Sequence, residues 1–415
     1  MSPGASMTAA AAVQADKARA GTAASDRILA IDVFRGLTIL VMIFVNTLSG
    51  VRGMPAWAEH MPAEVDGMTF VDAVFPAFLF IVGMSIPFAL AQREAKGDTP
   101  LQVWKHIGLR ALGLIVLGVF MVNAEDGYNE AAMGMSIYLW SLLFYGCALL
   151  VWSVHRFEEK MISFGLRGIG IAGLVTLAFV FRGGPHGELY IAPQWWGILG
   201  LIGWAYLIAC VFYRLTGGRV KWLALCLAAC SAYYCIGHMN AAQGSPVLQT
   251  IFSQSDDASH SSIVLAGLIT SLLFFGKDKA GSLAVRYGQA AALAAAMIAA
   301  GFELRPWFRI SKIYATPTWC LYSAAICVIL FGLLYWIVDL KKIRSWTAFF
   351  QPAAANPLLT YLIPYIVYAL MRYLHWEWPA IFDAGLPGAA FAAGYAVAVM
   401  ALVILLNRMH FKLQL

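Results

Sequence analysis

The sequence predicts an all-α, polytopic membrane helix bundle of about twelve (11–12) transmembrane helices, and three observations carry that expectation. Hydrophobic residues make up 61% of the 415 positions and charged residues only 12%, against about half and a quarter in a soluble domain. Apolar runs of about 20 residues recur along the chain, each long enough to cross a hydrocarbon core of roughly 30 Å. Lysine and arginine fall unevenly between alternate connecting segments, the bias that orients membrane helices. Mean hydropathy is +0.73, and the alternating pattern of a β-barrel is absent.

In chain order, residues 1–26 are rich in Ala, Ser and Thr and contain no continuous apolar stretch. They read as a disordered cytosolic tail, with no cleaved signal peptide. Spans follow at 28–48, 70–91, 104–123, 135–154, 163–181 and 195–214. A second half adds 220–237, 260–275, 283–302, 316–339, 355–374 and 386–407. Residues 27–415 thus form a single transmembrane domain, with 27–90 as its most informative part. Gly183-Gly184 and Gly217-Gly218 mark turns between spans. Pro357 and Pro364 interrupt the eleventh span.

With the N-terminus inside, every Lys and Arg except Arg52, Arg182, Arg305, Arg309, Lys312 and Arg372 lies on the cytosolic side or near it. That predicts both termini in the cytoplasm, and the expected location is the cell inner (plasma) membrane. The net charge of +6 is accounted for by topology and gives no reason to invoke nucleic acid. The seven cysteines lie in or beside apolar runs, which argues against a disulfide framework. They carry no metal-ligand spacing, so no metal is expected. Trp195, Trp196, Trp307, Trp319, Trp376 and Trp378 fall near outer span ends, where interfacial belts collect tryptophan.

The first two spans and their outside loop concentrate the chemistry. On a helix, Asp32, Arg35, Ile39, Met42 and Asn46 share one stripe, with Arg35 and Asn46 roughly 16 Å apart along the axis. Charges within a span face a bundle interior or a wet cavity. The bland alternatives are an anchoring Asp32–Arg35 pair and an Asn46 that bonds a neighbouring helix. The second span begins at Asp72 and Pro76, with Gly83 and Ser85 allowing close helix contact. His60 sits in the loop between, among Trp57, Glu59, Glu64 and Asp66. A loop histidine near an amide offers a general base beside an oxyanion donor, the pair that acyl transfer needs. Asp72 either caps its helix or holds that base.

The stretch Arg27-Ile-Leu-Ala-Ile-Asp32-Val-Phe-Arg35-Gly36, the run ending Phe44-Val45-Asn46, His60, and Asp66-Gly-Met-Thr-Phe-Val-Asp72 through Gly83 resemble the heparan-α-glucosaminide N-acetyltransferase family and its bacterial relatives. Pro193-Gln-Trp-Trp-Gly, Ser311-Lys-Ile-Tyr-Ala-Thr-Pro317 and Asn356-Pro357-Leu-Leu-Thr-Tyr361 resemble later helices of the family more loosely. The resemblance implies acetyl transfer from cytosolic acetyl-CoA to an amino or hydroxyl group of a sugar or glycan on the far side. It implies His60 and Asn46 as the essential pair and makes a homodimer an expectation. Arg35, Lys105 and Arg110, with Asp32, are the candidates for the CoA phosphates on the inner side. The competing class is a transporter or flippase of a sugar or lipid-linked intermediate, which also uses broken helices and intramembrane charge.

Overall fold

In the computed structural model the described residues are 28–154 and 159–415. The expected tail, with Arg27 and Arg156 of the charge count, lies outside them. Among the described residues twelve long helical segments each overlap one of the windows read from the sequence. They are α1 (Leu29–Leu48), α2 (Val74–Ala95), α3 (Pro100–Glu125), α4 (Ile137–Trp152), α5 (Lys160–Val180) and α6 (Gly197–Leu215). The remainder are α7 (Val220–Gly237), α8 (Ser255–Phe275), α9 (Leu283–Leu304), α10 (Pro317–Tyr335), α11 (Pro357–Tyr373) and α12 (Gly385–Arg408). Ten of these segments are long and apolar enough to cross a membrane, which makes the chain a multi-pass membrane protein. α4 has 16 residues; α11 has 17 and carries Pro364 in its interior.

Local chemistry sets several boundaries. Thr99 and Gln102 form a reciprocal capping box ahead of Pro100 at the start of α3. Ser136 caps α4 and Ser282 caps α9 through their side-chain oxygens. Thr316 accepts from Trp319 N, with Pro317 at the first helical position of α10.

The centre of the bundle is α8, and its first two turns are unusually polar for a membrane helix. It starts at Ser255, five residues before the expected span. Ser259, His260, Ser261 and Ser262 are all buried. They face protein: Ser259 Oγ lies 3.2 Å from Cys320 Sγ on α10, and three other hydroxyls fold back on their own helix. Ser261 Oγ donates to Asp257 O, Ser262 Oγ to Ser259 O and Thr270 Oγ1 to Ala266 O. Polar groups inside a bundle are tolerated on those terms. By contrast α5 and α9 bury only 17% of their apolar windows, as expected of helices that face lipid.

α2 lies directly against α8. A Cβ added to Gly83 would come 1.8 Å from Val264 O, and one added to Gly267 would come 1.9 Å from Phe80 O. Only glycine permits backbones to approach so closely. Phe75 meets the His260 ring at 5.5 Å, so the contacts advance in the same direction along both helices. α2 and α8 therefore begin at the same end of the bundle, the end that carries the α1–α2 loop.

Candidate active site

Two segments meet at that end: residues 49–73 between α1 and α2, and residues 305–316 between α9 and α10. The joint is polar and specific. Asp66 accepts from Ile310 N at 2.9 Å and from Arg305 Nε at 2.9 Å. Gly67 N donates to Ile310 O, Ser311 Oγ to Ala63 O and Tyr314 OH to Glu64. The Ile310 N–H does most to hold the Asp66 carboxyl below its ordinary value. Partial burial works against this, and Arg305 and Arg309 add to it. A carboxyl lowered on docking favours the docked state above the ordinary value of about 4 and loses that contribution as pH falls through the lowered one. Protection of the 305–316 amides against hydrogen exchange, relative to their free-chain rates, should therefore be high at neutral pH and fall on acidification below about 4. Asp66→Asn should remove most of that pH dependence.

Within this joint His60 Nδ1 lies 2.7 Å from Asp72 Oδ1. The Asp72 side chain is 1% exposed and that of His60 36%. The other carboxylate oxygen accepts from Met61 N at 3.2 Å, Thr69 N at 3.0 Å and Thr69 Oγ1 at 3.3 Å. A carboxylate can only accept, so His60 Nδ1 carries the hydrogen, and in the neutral ring Nε2 is the nitrogen with the lone pair. Two backbone amides and one hydroxyl thus orient a buried carboxylate, which orients a half-exposed imidazole. The backbone carbonyl of Asp72 takes the indole N–H of Trp319 at 3.2 Å. Trp319 is fully buried and does not belong to the interfacial belt expected from its position. Trp195, Trp307, Trp376 and Trp378 are exposed.

Lys312 completes the group. Its Nζ lies 3.2 Å from both Nδ1 and Nε2 of His60. In the sequence Lys312 is one of six cations assigned to the outer side, and its place after Ser311 in the family-like stretch is the signal that sets it apart. Beneath Trp319 the ring of His260 approaches edge-on at 5.9 Å, and its Nδ1 is buried with no hydrogen-bond partner among the described residues.

The remaining candidates fall elsewhere. Asn46 is exposed in the last turn of α1, where its backbone carbonyl accepts from Ser49 Oγ. Among the described residues no hydrogen bond joins it to His60. Asp32 and Arg35 lie in the first two turns of α1, toward the opposite end. Arg35 contacts Asp32 at 3.4 Å and donates to Ser85 Oγ at 2.7 Å and Ala354 O at 3.3 Å. On α3, Arg110 stacks over the Tyr206 ring at 4.9 Å and Lys105 is exposed. Among the described residues no group of three or more His, Cys, Asp and Glu could hold a metal ion.

Fold and site together define a multi-pass helical membrane protein with a carboxylate-held histidine at one end of the bundle. Residues 27–242, more than half of the chain, match the family described as Domain of unknown function (DUF5009), and the chain belongs to that family. It is also 34% identical over 99 residues to heparan-alpha-glucosaminide N-acetyltransferase of Mus musculus, a match covering 24% of this chain and 14% of that protein. The Homo sapiens protein of the same name is 33% identical over 97 residues, covering 23% and 14%. The resemblance read from residues 27–90 is thereby borne out. The matched stretch spans a small part of those relatives.

Proposed function

We propose that this protein is a membrane acetyltransferase that moves an acetyl group from cytosolic acetyl-CoA to an amino or hydroxyl group of a sugar on the other side of the membrane. The observation that carries this reading is the His60–Asp72 pair. The buried carboxylate fixes the imidazole as a base with Nε2 open, on a half-exposed loop at the membrane surface. The names of the relatives point to the same chemistry.

The chain's own residues then divide the work. His60 Nε2 takes the proton of the acceptor as its nitrogen or oxygen attacks the thioester carbonyl. Asp72 keeps the ring in the productive tautomer and steadies the imidazolium that forms. Asn46, exposed at the same end of α1, supplies an amide N–H to the developing oxyanion. Arg35 sits on α1 toward the donor side, where a guanidinium suits a phosphate or the polar part of the pantetheine arm. The charge bias of the connecting segments supports the His60 end as the extracytoplasmic one.

Binding of CoA tests the donor half of this reading. Micromolar CoA should raise the melting temperature of the purified protein in detergent, because a ligand that binds only the folded state stabilises it by mass action. Absence of any stabilisation, together with sugar uptake into vesicles that contain no acetyl-CoA, would instead establish a carrier.

A further inference from the structure

Lys312 stands where the proposed chemistry needs an amine. Its Nζ is equidistant, at 3.2 Å, from the two ring nitrogens of His60. Those nitrogens point away from each other, so an atom at that range from both lies over the face of the ring. It cannot also lie in the ring plane along either lone pair. The side chain is half-buried, and its backbone is fixed. Ser311 Oγ bonds Ala63 O, Ala315 N bonds Lys312 O, and Thr316 caps α10 four residues on. The ammonium is thus carried to His60 by a docked segment, with Asp72 on the Nδ1 edge of the ring. Burial pulls Lys312 below the ordinary lysine value, with the Asp72 charge pushing back, which raises the share of free amine.

We propose that Lys312 is a site of self-acetylation: with no acceptor in place, its amine takes the acetyl group that the thioester brings to His60. The inference rests on the acetyltransferase reading. Lys312 reacts as the free amine. Its nitrogen forms a bond to the thioester carbonyl carbon, and the carbon–sulfur bond breaks with the electron pair leaving on sulfur. The amine leaves the ring face as it attacks, and the proton it loses then passes along the Nε2 lone pair to His60 and from there to the CoA thiolate. The products are Nε-acetyl-Lys312 and CoA, with no other reactant needed. The amide carries no charge and occupies the space beside the base, so it blocks the amine or hydroxyl of a sugar from the same position. A sugar already bound there protects Lys312.

The test uses the purified full-length protein, acetyl-CoA labelled with deuterium in the acetyl group, and peptide mass spectrometry. Without acceptor, Lys312 should gain label at least about tenfold faster than the exposed Lys105, and His60→Ala should slow this by about tenfold or more. Millimolar glucosamine should suppress it. Preincubation with acetyl-CoA alone should lower subsequent acetylation of glucosamine in step with the label on Lys312. Label at Lys312 no faster than at Lys105, in a preparation that acetylates glucosamine, overturns the proposal and leaves the acetyltransferase reading intact. Failure to label Lys312, to acetylate glucosamine and to respond to CoA by thermal stabilisation overturns both.

Discussion

His60→Ala should lower acetyl transfer to glucosamine by about a thousandfold, within the range for loss of a positioned general base, while leaving the melting temperature nearly unchanged. The separation of the two effects follows from where the side chain sits. Its ring is over a third exposed, and it makes one hydrogen bond to the Asp72 carboxylate. Asp72 retains three other donors when the ring is removed, so no buried charge is left without partners. Asp72→Asn should act through the same bond. The amide offers either an oxygen or an NH2 to Nδ1, and the second choice puts the ring in the wrong tautomer. A loss of about a hundredfold or more is expected, along with some loss of stability, since Asp72 itself is buried. Rates measured with deuterated acetyl-CoA and melting curves on the same preparations check both variants. A thousandfold loss accompanied by a collapse in melting temperature would assign His60 to structure.

Gly83→Ala should have the largest effect on folding of any single methyl group added to α2. The new Cβ would stand 1.8 Å from Val264 O and 2.8 Å from Val264 C. Both atoms belong to backbone, so no rotamer change can relieve the overlap, and α2 and α8 must separate. That separation loosens the packing against the most buried helix, and overpacking of this kind costs about 3 kcal/mol. For a chain of this length the expected fall in melting temperature is about 3 °C. Gly288→Ala on α9 supplies the control. Nothing lies within 4 Å of its added Cβ, and an alanine there should leave the protein as stable as the parent or slightly more so. If the two variants melt together, the close approach of α2 and α8 does not hold the bundle.

The helical architecture was legible because apolar runs and charge bias both act over whole spans. The twelve windows each received a helix, and the family-like stretch of 27–90 brought His60 and Asp72 into contact as one of the readings of Asp72 required. α8 was read short for a physical reason. Ser259, His260, Ser261 and Ser262 lower its hydropathy, yet these groups meet protein and their own carbonyls, an environment that a sliding window cannot see. Trp319 was misplaced for the same reason, since an aromatic near a span end looks alike whether it meets headgroups or fills a core. Lys312 lies 252 positions from His60, and charge counting gave it only a side of the membrane. Its role depends on the docking of two distant segments through Asp66, Arg305 and Ile310. The stripe from Asp32 to Asn46 remains a pattern on α1, with buried partners at one end and an exposed amide at the other.

The most direct test of the central claim is transfer across a sealed bilayer. The protein is reconstituted in one orientation, with deuterated acetyl-CoA on the side facing Arg35 and glucosamine on the side facing His60. Acetylated sugar should accumulate on the His60 side in equal amount to the CoA released on the other, and His60→Ala should abolish both. Movement of unmodified sugar across the bilayer with acetyl-CoA left intact would contradict the account and make the protein a carrier.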